Sequence, residues 1–133
     1  MPVLGRSPAD VAALAAALAR ADCLVVVALC AAWCDTCREF RAALERIAAA
    51  RAGATFAWLD IEDDSAVCGD VDVENFPTLA IYRGTALVHF GVSLPQEGTV
   101  ARLVDALAED GRPLAAPPPA VAALAATLAR GEG

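Results

Sequence analysis

A chain of 133 residues is long enough for one domain with a buried core, and at 58% hydrophobic residues it has the material to build one. A net charge of −7, with arginine supplying every one of the ten basic side chains, argues against nucleic acid and anionic membranes as partners. Five cysteines cannot all pair within one chain, so a complete disulfide framework is excluded and a reducing compartment, the cytoplasm, is expected.

In chain order, residues 2–5 suit a short edge strand. Ser7-Pro8-Ala9-Asp10 reads as a helix start, with a serine cap, a proline in the first turn and an acid three residues after the cap. The alanine-rich helix it opens runs from Pro8 to Arg20, with Val11, Leu14 and Leu18 on one face. The same apolar run ends in Ala17-Leu18-Ala19, which resembles a secretory cleavage site. Asp10 directly before it, and Arg6 as the only early base, favour the helix. Leu24 to Leu29 is apolar at every position, which predicts a strand covered on both faces, central in a partly parallel sheet. Trp33-Cys34-Asp35-Thr36-Cys37 follows, and a helix is predicted from about Cys34 to Arg51. Phe40, Ala43, Leu44 and Ile47 share one of its faces, opposite Arg38, Arg41 and Glu45, and Gly53 is the expected terminator.

Ala54 to Ile61 is the next predicted strand. Acids then cluster from Asp60 to Glu74 with no basic residue among them, around a short helix near Ser65–Cys68. A solvated acidic connection is the reading, with a docking face for a basic partner as the alternative. Thr78 to Tyr82 and Ala86 to Phe90 are strands joined at Arg83-Gly84. Pro95 to Glu109 is a helix with Val100, Leu103, Val104 and Leu107 inward. This order makes an α/β architecture with one mixed sheet. The uncharged run from Cys23 to Cys34 falls well short of the roughly 20 residues a membrane span requires, so no membrane is expected.

Residues 111–119 are a proline-rich break, and Ala120 to Arg130 form a short helical tail. Val121 to Arg130 nearly repeats Val11 to Arg20. Compositional bias explains the likeness; the alternative is a tail helix that docks on the domain, or on a second copy to make a homodimer.

Two cysteines two residues apart, where a strand passes into a helix, form a redox motif. Cys30-X-X-X-Cys34-X-X-Cys37 also has the spacing of radical enzymes with an iron–sulfur cluster, but the chain is too short for their barrel. Cys30 is expected to be a small buried hydrophobe, with a third redox partner or a metal ligand as alternatives. A lone Cys-X-X-Cys supplies two zinc ligands and His89 is the only histidine, so no metal is expected. Cys23 and Cys68 read as structural or incidental.

Trp33-Cys34-X-X-Cys37 after the central strand, Asn75-Phe76-Pro77-Thr78-Leu79 opening a later one, and Gly91 closing the hairpin together resemble the thioredoxin-fold family. The resemblance covers about residues 3–110. It implies a thioredoxin fold over residues 1–110, a central mixed β-sheet flanked by helices, with residues 111–133 as linker and C-terminal helix. It implies a cis peptide at Pro77 facing the dithiol, and a substrate groove bordered by Trp33, Phe76, Pro77, Thr78, Gly91 and Val92, where backbone pairing would admit extended substrates. Cys34, at the helix N-terminus, would be the nucleophile, and the less exposed Cys37 the resolving cysteine. The implied activity is thiol–disulfide exchange on disulfide-containing proteins within cell redox homeostasis. It needs no cofactor and draws electrons from an upstream thiol reductant or reductase.

The motif departs from the family pattern. Asp35-Thr36 replaces Gly-Pro, and a carboxylate beside the nucleophile disfavours its thiolate, so the pair is expected to act as a reductant. The family's buried aspartate falls on Ala28 and its buried lysine on Trp58, which removes the proton relay behind the dithiol; water or Asp60 would have to substitute. Asp35, Thr36 and Cys30 are therefore the residues expected to tune the motif. The rival function is a thioredoxin-fold binding or maturation module, chaperone-like, with a weak or regulatory dithiol.

Overall fold

The computed structural model describes residues 3–71, 73 and 75–131. In chain order the elements are α1 (Pro8–Leu18), β1 (Leu24–Cys30), α2 (Asp35–Ala49), β2 (Ala54–Asp60), α3 (Ser65–Cys68), β3 (Thr78–Arg83), β4 (Ala86–Val92), α4 (Glu97–Asp110) and α5 (Pro119–Ala129). The strands lie in the order β2-β1-β3-β4. β1 runs parallel to β2 and antiparallel to β3, and β3 and β4 form the hairpin. The sheet is therefore mixed, as the element order predicted.

β1 is buried along its whole length, which is why it carries no polar residue. Its side chains alternate between two cores. Val25, Val27 and Leu29 join Leu14 and Leu18 of α1, Tyr82 of β3, and Leu124 and Leu128 of α5. Leu24, Val26 and Ala28 join Phe40, Leu44 and Ile47 of α2 and Val100 and Val104 of α4. Helices thus cover both faces.

Local details refine the expectations. Ser7 caps α1, its Oγ accepting the Asp10 N–H at 3.2 Å. Val11 is only half-buried, and Leu14, Ala17 and Leu18 form the inward stripe. Leu4 makes a single parallel bridge to Ala57 rather than a strand, and Pro2 lies outside the described residues. Gly53 does not end α2 through a left-handed turn: the helix stops at Ala49 with Ala50 still right-handed. Tight hydrogen bonds from the Arg51 N–H to Ala48 and from the Ala54 N–H to Arg51 then carry the chain into β2. The hairpin turn is Gly84-Thr85, one residue later than predicted, because Arg83 pairs with Ala86. Gly84 holds φ at 61°, and a Cβ there would lie 3.0 Å from the Ala21 Cα, so glycine is required.

The tail helix docks on its own domain. Val121, Leu124, Ala125 and Leu128 are buried against the α1 side of the sheet, and the Tyr82 hydroxyl donates to the Val121 carbonyl at 2.8 Å. The apolar face that a homodimer through this helix would use is spent inside the chain. Leu14 and Leu124, and Leu18 and Leu128, hold equivalent positions in the near-repeat and enter the same core. Among the described residues no helix is long and apolar enough to cross a membrane.

Two expectations follow. Leu124→Ala should lower unfolding free energy by about 2–4 kcal/mol in urea titrations, whereas Ala126→Gln on the exposed side should stay within about 0.5 kcal/mol; equal small effects would mean the tail adds nothing to the core. His89 on β4 is half-buried, and burial holds its pKa below the usual 6.5. Protonation therefore favours the unfolded chain: the His89 contribution is intact above about pH 6.5 and is lost as pH falls below it toward the folded value. The urea midpoint should drop between pH 7 and pH 5 by less in His89→Asn than in the parent.

Candidate active site

β1 delivers the chain into the site and α2 takes it up. Cys34 is the N-cap of α2, extended at φ −88° and ψ 114°. Its N–H donates to the Ala31 carbonyl at 3.0 Å, and its own carbonyl accepts the Arg38 N–H at 3.2 Å. This places the Cys34 thiol at the positive end of a helix dipole. Cys34 is partly exposed, while Cys37, one turn further in, is wholly buried. Both are thiols here, as are Cys23, Cys30 and Cys68.

Cys37 is pushed up in pKa by burial; hydrogen bonds from the Cys30 side chain and the Ala31 backbone work in the opposite direction, and Cys34 adds to the rise. Cys30, the last residue of β1, is wholly buried, as expected of a small hydrophobe. Strand alternation sets it on the face of β1 that α2 covers. Burial drives the Cys30 thiol strongly upward, followed by Cys37, Cys34 and Asp60, so it stays protonated.

Asp60, at the end of β2, is a clasp. Its Oδ2 accepts the Ala32 N–H at 2.7 Å, and its Oδ1 accepts those of Glu62 and Asp63 at 2.8 and 3.0 Å. Burial alone would raise its pKa, but these three donors outweigh it and hold the carboxyl below the usual range. The donors to the Asp60 carboxylate are backbone N–H groups, and its role here is to tie the end of β2 to the segment before Cys34. The two relay positions do meet: Ala28 pairs with Trp58 in the parallel register. They are filled by apolar packing, with Phe40 6.5 Å from the indole and the Arg41 guanidinium 5.0 Å above it.

Asp35 forms an ion pair with Arg38 on the same exposed face of α2. The arginine partly cancels the carboxylate's field at the dithiol, which weakens the expectation that Asp35 makes the pair a reductant. Thr36 is exposed. Trp33 is 61% exposed yet fixed: its Nε1–H donates to Glu62 at 2.7 Å and its ring meets Phe76 edge-on at 5.5 Å. That ring contact brings the second motif to the first. The Phe76–Pro77 peptide is cis. Thr78, buried, donates to the Asn75 carbonyl at 2.7 Å, and Thr78 and Leu79 lie opposite Val92 and Gly91. The Pro77 carbonyl accepts the Ser93 N–H at 3.0 Å. Val92 and Leu94 are exposed at 58% and 63%.

The groove residues named from sequence thus share one end of the sheet with the dithiol. Sequence reasoning missed Arg38, Glu62, Leu94 and the clasp role of Asp60. The Asp35/Arg38 spacing and the Asp60-Ile61-Glu62-Asp63 turn were the available signals. Cys23 and Cys68 lie apart from the dithiol: Cys23 is buried near Arg20 and Thr55, and Cys68 is raised to about 11 chiefly by burial. In the acidic segment Asp64 accepts the Asp60 N–H and pairs with Arg6, while Asp72 and Glu74 lie outside the described residues. Among the described residues no group of His, Cys, Asp and Glu could hold a metal ion.

The thioredoxin family model matches residues 8–105. Thioredoxin-2 of Saccharomyces cerevisiae is 38% identical over 68 residues, 51% of this chain and 65% of that protein, so the match spans just under two thirds of that relative's length. Among solved structures, Trypanosoma brucei thioredoxin superposes with a TM-score of 0.65 at 23% identity, covering 81% of this chain and 92% of that one. Fasciola hepatica thioredoxin gives 0.64 at 23% identity, covering 80% and 98%. The structural likenesses speak for the fold, and the family model, matching most of the chain, settles descent: the chain belongs to the thioredoxin family.

Proposed function

We propose that this protein is a thiol–disulfide oxidoreductase that reduces or exchanges protein disulfides through Cys34 and Cys37. The observation that carries the reading is their unequal burial at the N-terminus of α2. A substrate disulfide can reach Cys34 but not Cys37. The Cys34 thiolate attacks one substrate sulfur, and the other leaves as a thiolate. Cys37, once deprotonated, attacks the Cys34 sulfur and releases the second substrate thiolate. The substrate gains two electrons, and the protein is left with the Cys34–Cys37 disulfide. An upstream thiol reductant or reductase of the cytoplasm restores it, and no cofactor enters.

Trp33, Phe76, Val92 and the backbone at Pro77–Thr78 and Gly91 form the apolar border against which an extended substrate segment lies. Disulfide-containing proteins are the substrate class. Asp35 and Thr36 stand at the mouth, and the Arg38 guanidinium tempers the charge of Asp35. The second reading, a binding or maturation module with a weak dithiol, draws on the apolar Ala28–Trp58 pair, which leaves no charged relay behind Cys37.

Insulin reduction by dithiothreitol separates the two. The parent protein should accelerate insulin precipitation, Cys34→Ser should fall to background, and Cys37→Ser should accumulate a mixed disulfide visible by mass; a parent as inert as Cys34→Ser would sink the enzyme reading. Trp33→Ala removes an exposed aromatic contact with substrate, worth about 1 kcal/mol, and should raise KM about fivefold with little change in kcat.

A further inference from the structure

We propose that Leu94 is a specificity-determining residue: with Val92 it forms an apolar ridge beside the dithiol, and the ridge receives an apolar side chain flanking the reacting cysteine of a substrate protein. This deepens the dithiol reading above and rests on it.

Exposure singles the ridge out. Among the described residues the exposed large hydrophobic side chains are Trp33, Val92, Leu94 and Leu114. A single exposed leucine is ordinary, but three such side chains bordering one site mark a contact surface. Direct contacts join the first three across Pro77. Trp33 meets Phe76 edge-on at 5.5 Å, and the carbonyl of the next residue, Pro77, accepts the N–H of Ser93, which lies between Val92 and Leu94, at 3.0 Å. Exposure alternates from Val92 to Pro95: Val92 and Leu94 are exposed, Ser93 and Pro95 half-buried. The two apolar side chains therefore share the outward side. Leu94 is also held in place. Its carbonyl accepts the Ser93 hydroxyl at 3.0 Å, and Pro95 restricts the residue before it to extended backbone. A leucine fixed in this way loses little freedom when a partner covers it.

Charge decides the occupant. From Gly84 to Gln96 the chain carries no Asp, Glu, Lys or Arg, and Glu97 is paired with Arg46. Glu62, which holds the Trp33 indole, follows β2, whereas Leu94 follows β4, at the opposite edge of the sheet. A basic side chain of the substrate finds its partner at the Glu62 end, and an acidic one is disfavoured by the net charge of −7. An aliphatic side chain gains by covering the ridge. The reaction itself brings it there. Once Cys34 is joined to a substrate cysteine, the neighbours of that cysteine in an extended segment follow at about 3.3 Å per residue, along the strip that runs from Trp33 past Pro77 to Leu94.

The test uses the reduced full-length protein and short peptides, each with one cysteine held as a mixed disulfide with 2-nitro-5-thiobenzoate. The Cys34 thiolate attacks the peptide sulfur, the Cys34–peptide bond forms, and nitrothiobenzoate leaves with the electron pair and is read by its absorbance. Cys37 then attacks the Cys34 sulfur, and the peptide thiolate leaves. Leucine, serine or arginine occupies in turn each of the two positions on either side of the cysteine. At one of these positions leucine should exceed serine about fivefold in the second-order rate of the first step. Leu94→Ser should bring that ratio to about one, and Leu94→Glu should make arginine the preferred residue there. Leu114→Ser, on the exposed leucine of the linker, should keep the ratio of the parent. A parent ratio near one at every position overturns the proposal, as does a fivefold ratio that survives in Leu94→Ser. A parent that sediments as a dimer, and as a monomer after Leu94→Ser, gives the ridge to a second copy and overturns it too. Release of nitrothiobenzoate with no later release of the peptide thiol overturns the dithiol reading, and this inference with it; that failure is told apart because the leucine ratio is read in the first step alone.

Discussion

The structure depends on β1 being apolar on both faces. A strand buried between two helical layers has nowhere to turn a polar side chain, and every residue from Leu24 to Cys30 obeys this. Each buried Val or Leu contributes about 1.5–3 kcal/mol, so this one strand anchors both cores. Its two faces are not interchangeable. On the α2 side, Ala28 leaves room for Phe40 and Trp58; on the α1 side, Leu29 fills space beside Leu14 and Leu59. A slip of one residue would drive Leu29 into the aromatic side and leave a void on the other. The same register that settles the cores therefore settles where β1 stops, and it stops at a cysteine under the first turn of α2.

Around that point the protein uses its acids as structural parts. A net charge of −7 would put repulsive charge around a thiol pair if its acids stood unpaired there. Instead three nearby carboxylates have partners. Asp35 is paired with Arg38, Glu62 holds the Trp33 indole, and Asp60 accepts three backbone N–H groups. Asp60 is the most consequential, because it binds the end of β2 to the segment that carries Trp33 and Cys34. Its charged form is what those donors favour, so the clasp holds throughout the neutral range. The exposed pair at Asp35 and Arg38 contributes little to stability. Its effect lies in the field at the mouth of the site.

Much of this was legible in the sequence because the relevant signals are local. The Ser7 cap, the all-apolar run at Leu24, the periodic face of α2 and the spacing of the two motifs are each decided by neighbours in the chain. What escaped depended on contacts distant in sequence. Gly53 looked like a terminator, but the way α2 meets β2 ends the helix without a left-handed residue. The tail helix was ambiguous because alanine-rich repeats say nothing of what they face; Tyr82 and the α1 side of the sheet decide it. Cys30 was read as a hydrophobe because burial is the commonest fate of a free cysteine. That it lies on the face of β1 covered by α2 becomes visible only once strand parity is known.

That parity bears on how the site tolerates losing the charged pair of its relatives. With Ala28 beside Trp58, the interior behind the dithiol is apolar, and an isolated carboxylate or ammonium there would be expensive to bury. A thiol is a different compromise. It costs little to bury, because it is nearly a hydrophobe, yet it can still meet a neighbouring thiolate with a proton. At Cys30 a thiol ends a fully buried strand without opening the core to water. An apolar strand that ends in a buried thiol thus seals two cores along its length, up to the turn that carries the dithiol.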